Sequence, residues 1–182
     1  FPDGLDVIDK EVVSSLRRAY QEWRDTKKDV AIHSAWVDFV LDKVLGYPSN
    51  LLLRGQSIPE RLTTYIPQQA ISLRPSMVLV EATSKEPRLL IQKYDYTQKL
   101  EKPPYGAASM SCLSRMMELC HASQVPLGLI TNGEDWVLVF APVGETSSYI
   151  TFSSHFWFAE RLTLRAFYTI LQVKRFFGVP DE

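Results

Sequence analysis

The chain predicts an α/β domain, on three observations. Residues 126–140, PLGLITNGEDWVLVF, place Asn132-Gly133 between two apolar runs, which is a hairpin pattern because both residue types tolerate the positive φ of a tight turn. Two helical patterns precede three short strand-like runs. A third helical pattern separates those runs from the hairpin, and a fourth closes the chain. At 182 residues and 46% apolar content the chain can bury a sizeable core, and a single domain over 1–182 is the expectation.

Each element has its own signal. Over 9–23, apolar side chains at Val12, Val13, Leu16, Ala19, Tyr20 and Trp23 recur at helical spacing. Over 34–45, Trp36, Val37, Val40, Leu41 and Val44 form a second stripe, and Gly46 supplies a left-handed stop. Residues 47–56 read as loop. Residues 62–66, 77–81 and 88–94 are short aliphatic runs punctuated by Pro67, Pro75 and Pro87, as strands bounded by turns are. Proline and glycine break 99–108 into a loop, and 111–122 is again helical. Residues 148–152 predict an edge strand. Thr163 is the expected cap of a last amphipathic helix with Leu164, Phe167, Leu171 and Phe177 inward, Lys174 and Arg175 near its end, and Gly178 to stop it.

Composition narrows the function classes. Twenty basic residues against 21 acidic ones leave a net charge of -1, which argues against an electrostatic footprint spread over the whole domain. Arg17, Arg18, Arg24, Lys27 and Lys28 nonetheless crowd the first helix and its exit, a candidate phosphate track if they share one side. Cys112 and Cys120 lack partners at metal-ligand spacing and read as small buried hydrophobes in a reducing, cytoplasmic compartment. His33, His121 and His155 are too scattered for a metal site, with His121 placed to meet the carbonyls at a helix end. No apolar run approaches the roughly 18 residues of a membrane span. Phe1-Pro2-Asp3 carries neither a start methionine nor a signal-peptide pattern, and the expectation is a segment of a longer chain.

Two further motifs are weighed and set aside. Lys102-Pro103-Pro104-Tyr105 is shaped like the tetrapeptide with which adenine-N6 methylases hold the target amine. Its first residue is a cation that cannot accept a hydrogen bond, so it reads as a rigid loop. Ser153-Ser154-His155 has no nucleophile elbow, and the aromatic run 156–158 reads as core or an interdomain contact.

The order helix, three strands, helix, strand, together with the LITNGEDWVLV hairpin, resembles the PD-(D/E)xK nuclease fold and the TNG-x-x-W segment in the amino-terminal regions of type I and type IIG restriction enzymes. RPSMVLV at 74–80, RMMELCHASQVPLGLITNGEDWVLVFAPVGE at 115–145 and LTLRAFYTILQVKRFFGVP at 162–180 resemble, more narrowly, the amino-terminal region of large phage-defence adenine methylases of the DISARM type. The resemblance implies a restriction-endonuclease-like core: helices, a three-stranded β-meander, a helix and a β-hairpin, followed by a C-terminal amphipathic helix. It also implies an aspartate opening the second strand, a glutamate and lysine on one face of the third, and a glutamate on the first helix. These groups hold Mg²⁺ and help activate water.

Carried over residue by residue, the helical position is Glu22, the aspartate position holds Ser76, and the third-strand pair falls on Gln92 and Tyr94. Losing about two negative charges removes most of the attraction for a hard divalent cation, so the site reads as degenerate, with no catalytic residue and no metal. The implied function is a catalytically inactive domain that positions DNA or contacts other domains or subunits of a defence complex. Its parent would be an adenine-N6 DNA methyltransferase with AdoMet bound elsewhere, and the fragment itself would carry no cofactor. Arg17, Arg18, Arg24, Lys27, Lys28 and Lys93 are the DNA-binding candidates. One alternative is an active Mg²⁺-dependent endonuclease drawing on Glu22, Glu81 and Asp95 with Lys93 as the cation. Another is a pure protein-interaction module using 156–158 and the last helix.

Overall fold

Two compact units make up the chain in this computed structural model, which describes residues 4–104 and 110–177; one unit runs over 1–48 and 152–182 and the other over 49–151. The Gly178 stop and residues 105–108 of the expected loop, Tyr105 of the Lys102–Tyr105 motif among them, lie outside the described residues.

In the first unit, helix ends are set by carboxylates. Asp9 accepts from the Glu11 amide at 2.7 Å and opens α1, Lys10–Thr26, which buries Leu16, Tyr20 and Trp23 at helical spacing. Asp29 accepts from the Ala31 and Ile32 amides at 2.8 and 3.2 Å and opens α2, Val30–Phe39. That start lies ahead of the expected 34 because Val30 is 74% exposed, so the first turn falls outside the apolar stripe although it is properly capped. A π-helical turn, Val40–Val44, follows, and Gly46 ends it at φ +74°. Trp23 donates through Nε1 to His33 Nδ1 at 3.1 Å and stacks on Trp36 at 5.7 Å between centroids.

The last helix, α4, spans Arg161–Leu171 with Leu164, Phe167 and Leu171 buried. Thr163 does not cap it. The helix begins two residues earlier, no side chain caps Glu160, and the Thr163 hydroxyl instead donates to the Glu160 carbonyl at 2.7 Å. Phe177 lies beyond the helix. The buried Tyr47 hydroxyl donates to the Leu171 carbonyl at 2.7 Å, satisfying an otherwise orphan helix-end acceptor. The N-terminal segment is tied to α4 as well: the Asp6 amide donates to Thr169 Oγ1 at 2.8 Å, and Arg175 pairs with the Asp6 carboxylate at 3.1 Å. Trp157 is core, its ring 4.7 Å from Phe167, whereas Phe156 is 48% exposed.

The second unit is a mixed sheet with a small ribbon. Strand β1 is Leu52–Arg54, β2 Thr64–Ile66, β3 Ile71–Leu73, β4 Met77–Val80, β5 Pro87–Lys93, β6 Leu127–Thr131, β7 Asp135–Phe140 and β8 Ser148–Ser153. Helix α3, Cys112–Ser123, joins β5 to β6 and is capped by Ser111, whose hydroxyl accepts from the Ser114 amide. The sheet order is β1-β4-β5-β6-β7-β8, with β5 and β6 parallel; β2 and β3 form a separate antiparallel ribbon.

This departs from the expected meander. The segment read as loop contains β1, which pairs with β4 from Leu52↔Leu79 to Arg54↔Met77 and is too short to show a period of two. The run at 62–66 splits into a 3₁₀ turn and β2, and its partner β3 lies just beyond the Pro67–Gln69 turn, where Ala70 adopts φ +51°. The antiparallel trio is therefore β1-β4-β5. The hairpin, the edge strand β8 and α3 fall where the sequence puts them. Among the described residues no helix is long and apolar enough to cross a membrane.

Helix α3 covers one sheet face through Cys112, Met116, Leu119 and Cys120, which lie in one cluster with Val78, Leu90, Ile130 and Val139. The contact is closest at Gly128, where an added Cβ would stand 2.5 Å from Met116 Cγ and Sδ and 3.1 Å from Cys120 Sγ. Gly128→Ala is expected to cost about 1–3 kcal/mol by overpacking. In a Met116→Ala background the same change should cost under about 0.5 kcal/mol, a coupling that urea denaturation of the double-mutant cycle reads directly.

Burial pushes the Cys120 thiol up to about 12 and the Tyr47 hydroxyl well above its ordinary 10.0. Unfolded, these groups lose protons from about pH 9 and 10, while the folded chain retains them. Their contribution is therefore fully present below about pH 9 and is lost as pH rises. Urea midpoints should fall between pH 9 and 11, and fall less steeply in Cys120→Ala and Tyr47→Phe.

Candidate functional site: a cationic cavity beside β5 and α3

Alternation along β5 sends Gln92 toward the α3 side, and the Tyr94 side chain follows it. They line one cavity of about 130 Å³ with Ser72 and Arg74 from the end of the ribbon and Arg115 and Met116 from α3. No lining residue is acidic. Tyr94 is anchored by its amide, which donates to the Thr131 carbonyl at 2.8 Å, and its hydroxyl bonds the Cys112 thiol. Burial, foremost, keeps the Tyr94 proton on well above the ordinary tyrosine range. The same cause raises the Cys112 thiol, while Tyr94 and Arg115 pull it back. Both groups are neutral hydrogen-bonding partners at physiological pH.

The two guanidiniums differ. Arg74 is engaged through both terminal nitrogens: Nη1 donates to Thr63 Oγ1 at 2.9 Å, and Nη2 to the carbonyls of Ile58 at 2.6 Å and Gly55 at 3.3 Å. Its acceptors are neutral, so its charge is positioned but not neutralised. Arg115 is half-buried, and its Nε and Nη2 have no solvent contact and no acceptor among the described residues. Leaving a charged group in that state costs more than leaving a neutral one, which on its own costs about 1–3 kcal/mol. Nothing in the sequence marks Arg115 as functional, because its signal is a missing partner that only the folded chain reveals.

Extending the β4–β5 register by one residue sets Ser76 across from Gln92, and the Ser76 hydroxyl accepts from the Lys93 amide at 3.2 Å. The donor set at the three sheet positions is thus a hydroxyl, an amide and a phenol, with two guanidiniums lining the cavity that holds the last two. Those groups do not fit a divalent cation, which requires anionic oxygens. Among the described residues no group of three or more His, Cys, Asp or Glu side chains could hold a metal ion.

Glu81 and Lys93 do not meet. Glu81 follows β4 at the Val80↔Pro87 end, whereas Lys93 lies beyond the Met77↔Ile91 end, roughly 20 Å away along the strand at about 3.3 Å per residue. The Glu81 carboxylate accepts from the Ser84 hydroxyl, which holds it below the usual carboxylate range, and stands 3.9 Å from Arg88. Asp95 accepts from the Thr97 amide and hydroxyl at 2.9 and 2.6 Å, closing an Asx turn.

On α1, Glu22 is exposed, and Arg17 and Arg24 share one face by their seven-residue spacing. Arg17 lies over the Phe158 ring at 4.9 Å, Lys27 over Trp23 at 5.8 Å, and Arg24 pairs with Asp25 at 3.3 Å; Arg18 and Lys28 are exposed. His121 faces Ser147 at 3.4 Å, not the helix-end carbonyls to which it was assigned. His33 is buried against Trp23, and His155 packs edge-on to Phe156.

A second cleft of about 420 Å³ is bounded by 96–102 and the hairpin, with Glu101, Glu134 and Asp135 beside Lys99 and Lys102. At its rim the hairpin turn is not built as the Asn-Gly pattern implies. Gly133 alone takes positive φ, at +89°, and Asn132 works through its side chain: Oδ1 accepts from the Glu134 and Asp135 amides at 3.0 and 2.8 Å. Its Nδ2 donates to the Gln98 carbonyl at 2.8 Å, tying the turn to the adjoining loop.

Comparison with known protein families, curated proteins and solved structures finds no match for this chain.

Asn132→Ala removes acceptor and donor together and should cost about 1–3 kcal/mol through amides left without a partner. Asn132→Asp keeps the acceptor and loses only the bond to Gln98, so the smaller loss in urea midpoint should belong to that variant.

Proposed function

We propose that this chain is a catalytically silent, nuclease-like domain that holds DNA through its phosphates. The observation that carries the reading is the inverted chemistry of the cavity at Gln92 and Tyr94. A cleft that positions Mg²⁺ needs carboxylates, whereas this one presents two guanidiniums and neutral donors with no acid. Such a set favours an anion, and the phosphate backbone is the anion that dominates nucleic-acid affinity.

Support for a restriction-endonuclease-like core comes from the antiparallel β4–β5 pair, the α3 connection to a parallel β6 and the hairpin that follows. The resemblance of the TNG-x-x-W run extends the proposal to the parent. In that reading the domain belongs to a cytoplasmic restriction-modification or phage-defence adenine methyltransferase, with AdoMet bound elsewhere and other domains or subunits as partners. Within the domain, DNA is contacted through this cavity.

Labelled duplex DNA titrated with the 182-residue chain across a salt series, with Mg²⁺ and Mn²⁺ lanes in parallel, tests this. The expected result is retardation that weakens with salt and yields no cut product. Each phosphate contact should contribute about -0.9 to the slope of log affinity against log salt. Metal-dependent cleavage overturns the silent assignment, and no retardation at low salt replaces DNA with a protein partner.

A further inference from the structure

A cavity inside the first compact unit joins an apolar wall to a polar lining that almost exclusively donates hydrogen bonds. It measures about 600 Å³ and lies between the segment entering α1, α1 itself and the start of α4, with Val7, Ile8, Val13, Trp157, Phe158 and Leu164 as its apolar wall. That volume falls within the roughly 300–1,000 Å³ of sites that take one small molecule. Lys10, Arg17, Arg161 and Arg165 line it as well, and no acid does. Of the acids beside them in sequence, Asp6 pairs with Arg175 and Asp9 holds the Glu11 amide; neither these nor Glu11 nor Glu160 lines the space.

Long cationic side chains lay their methylenes along apolar surface and keep the charged end in water. Lys10, Arg17 and Arg161 are exposed, so their stems extend the wall and their charges stand toward the mouth. Two charges have defined positions. The Arg17 guanidinium lies 4.9 Å from the centre of the Phe158 ring, and the half-buried Arg165 donates through Nε to the Asp6 carbonyl at 3.1 Å and through Nη2 to the Leu5 carbonyl. Ring and carbonyls orient these charges without neutralising them.

The hydrogen-bonding character of the lining selects the ligand. Ammonium, guanidinium and indole groups only donate, and among the lining side chains the Ser14 hydroxyl alone accepts. A nucleobase or a peptide segment brings N–H donors that require acceptors, and the Phe158 ring on which a base would stack is already engaged by Arg17 and Tyr20. An ionised carboxylate only accepts, and an aliphatic chain has no donor to satisfy.

We propose that this cavity binds a free amphiphilic anion, its aliphatic chain against the apolar wall and its carboxylate, or a similar acceptor-only head, among the cations. Burial of the chain supplies most of the affinity, and the cations choose the sign of the head. The site is independent of the DNA reading, whose cavity lies in the other unit.

The probe is decanoate, kept below its micelle concentration and titrated calorimetrically into the 182-residue chain at low ionic strength. Binding should saturate at one site. Octanoate, two methylenes shorter, should bind about tenfold more weakly. Decanol, with the same chain and a neutral head, should bind about fivefold more weakly, and decyltrimethylammonium should show no saturable binding. Arg17→Gln combined with Arg161→Gln should narrow the gap between decanoate and decanol to about twofold while leaving decanol unchanged. Val13→Phe, at a half-buried wall position, should fill the space and remove both ligands. If Val13→Phe fails to fold, the head-group series and the double variant decide. Equal affinity for the three heads, or decanoate binding that neither variant changes, overturns the site. Sedimentation with phosphatidylglycerol vesicles in the absence of saturable decanoate binding overturns it too, and assigns this face to an anionic lipid surface.

Discussion

Helix α3 rests so close on the sheet that Gly128 has no room for a side chain beneath Met116. Parallel pairing of β5 with β6 requires a crossing element, and here the crossing helix comes closest to the sheet at Gly128, which bears no side chain. With that approach made, the stripe of Cys112, Met116, Leu119 and Cys120 fills the face formed by Val78, Leu90, Ile130 and Val139. The rest of the helix is then committed. Arg115 precedes Met116 and is carried into the space beside Gln92 and Tyr94, where its position follows from the packing of its neighbour. The cavity is thus a by-product of a close helix-sheet contact, and its chemistry is decided by which polar residues happen to border it.

Those residues give it an unusual electrostatic character for a chain with nearly balanced charge. The basic residues of α1 are distributed among ring faces and a neighbouring carboxylate: Arg17 on Phe158, Lys27 near Trp23, Arg24 against Asp25. Exposed pairs of that kind are screened by salt and contribute little. Arg115 differs in being withdrawn from solvent, where the same unit charge acts through a lower dielectric and over a shorter range of competing ions. One half-buried cation can therefore outweigh several exposed ones in choosing a ligand.

Much of the architecture was legible from pattern alone. The apolar stripe of α3, the hairpin and the edge strand each carry a local signal strong enough to survive folding. What escaped has physical reasons. The start of α2 depends on a carboxylate cap, not on apolar spacing, and β1 is three residues long, so its identity comes from its partner β4. The Asn132-Gly133 turn was recognisable, but its mechanism was not: Asn132 acts as a side-chain bridge to two amides and a distant carbonyl. At the site, Gln92 and Tyr94 could be singled out by resemblance, whereas Arg115 could not. An unmatched charge becomes visible only when the described groups that might have matched it have been placed elsewhere.

Arg74 carries a last consequence. Its guanidinium bridges Thr63 before the ribbon, Gly55 and Ile58 in the preceding turns, and the cavity wall, so one side chain fastens three stretches of chain that share no strand pairing with the main sheet. Its conformational freedom is surrendered during folding, and a partner arriving later meets a group already immobilised. The same bonds make occupancy and local order two sides of one equilibrium. Whatever steadies the ribbon sharpens the grip at Arg74, and by thermodynamic reciprocity an anion held there returns the favour by steadying the ribbon.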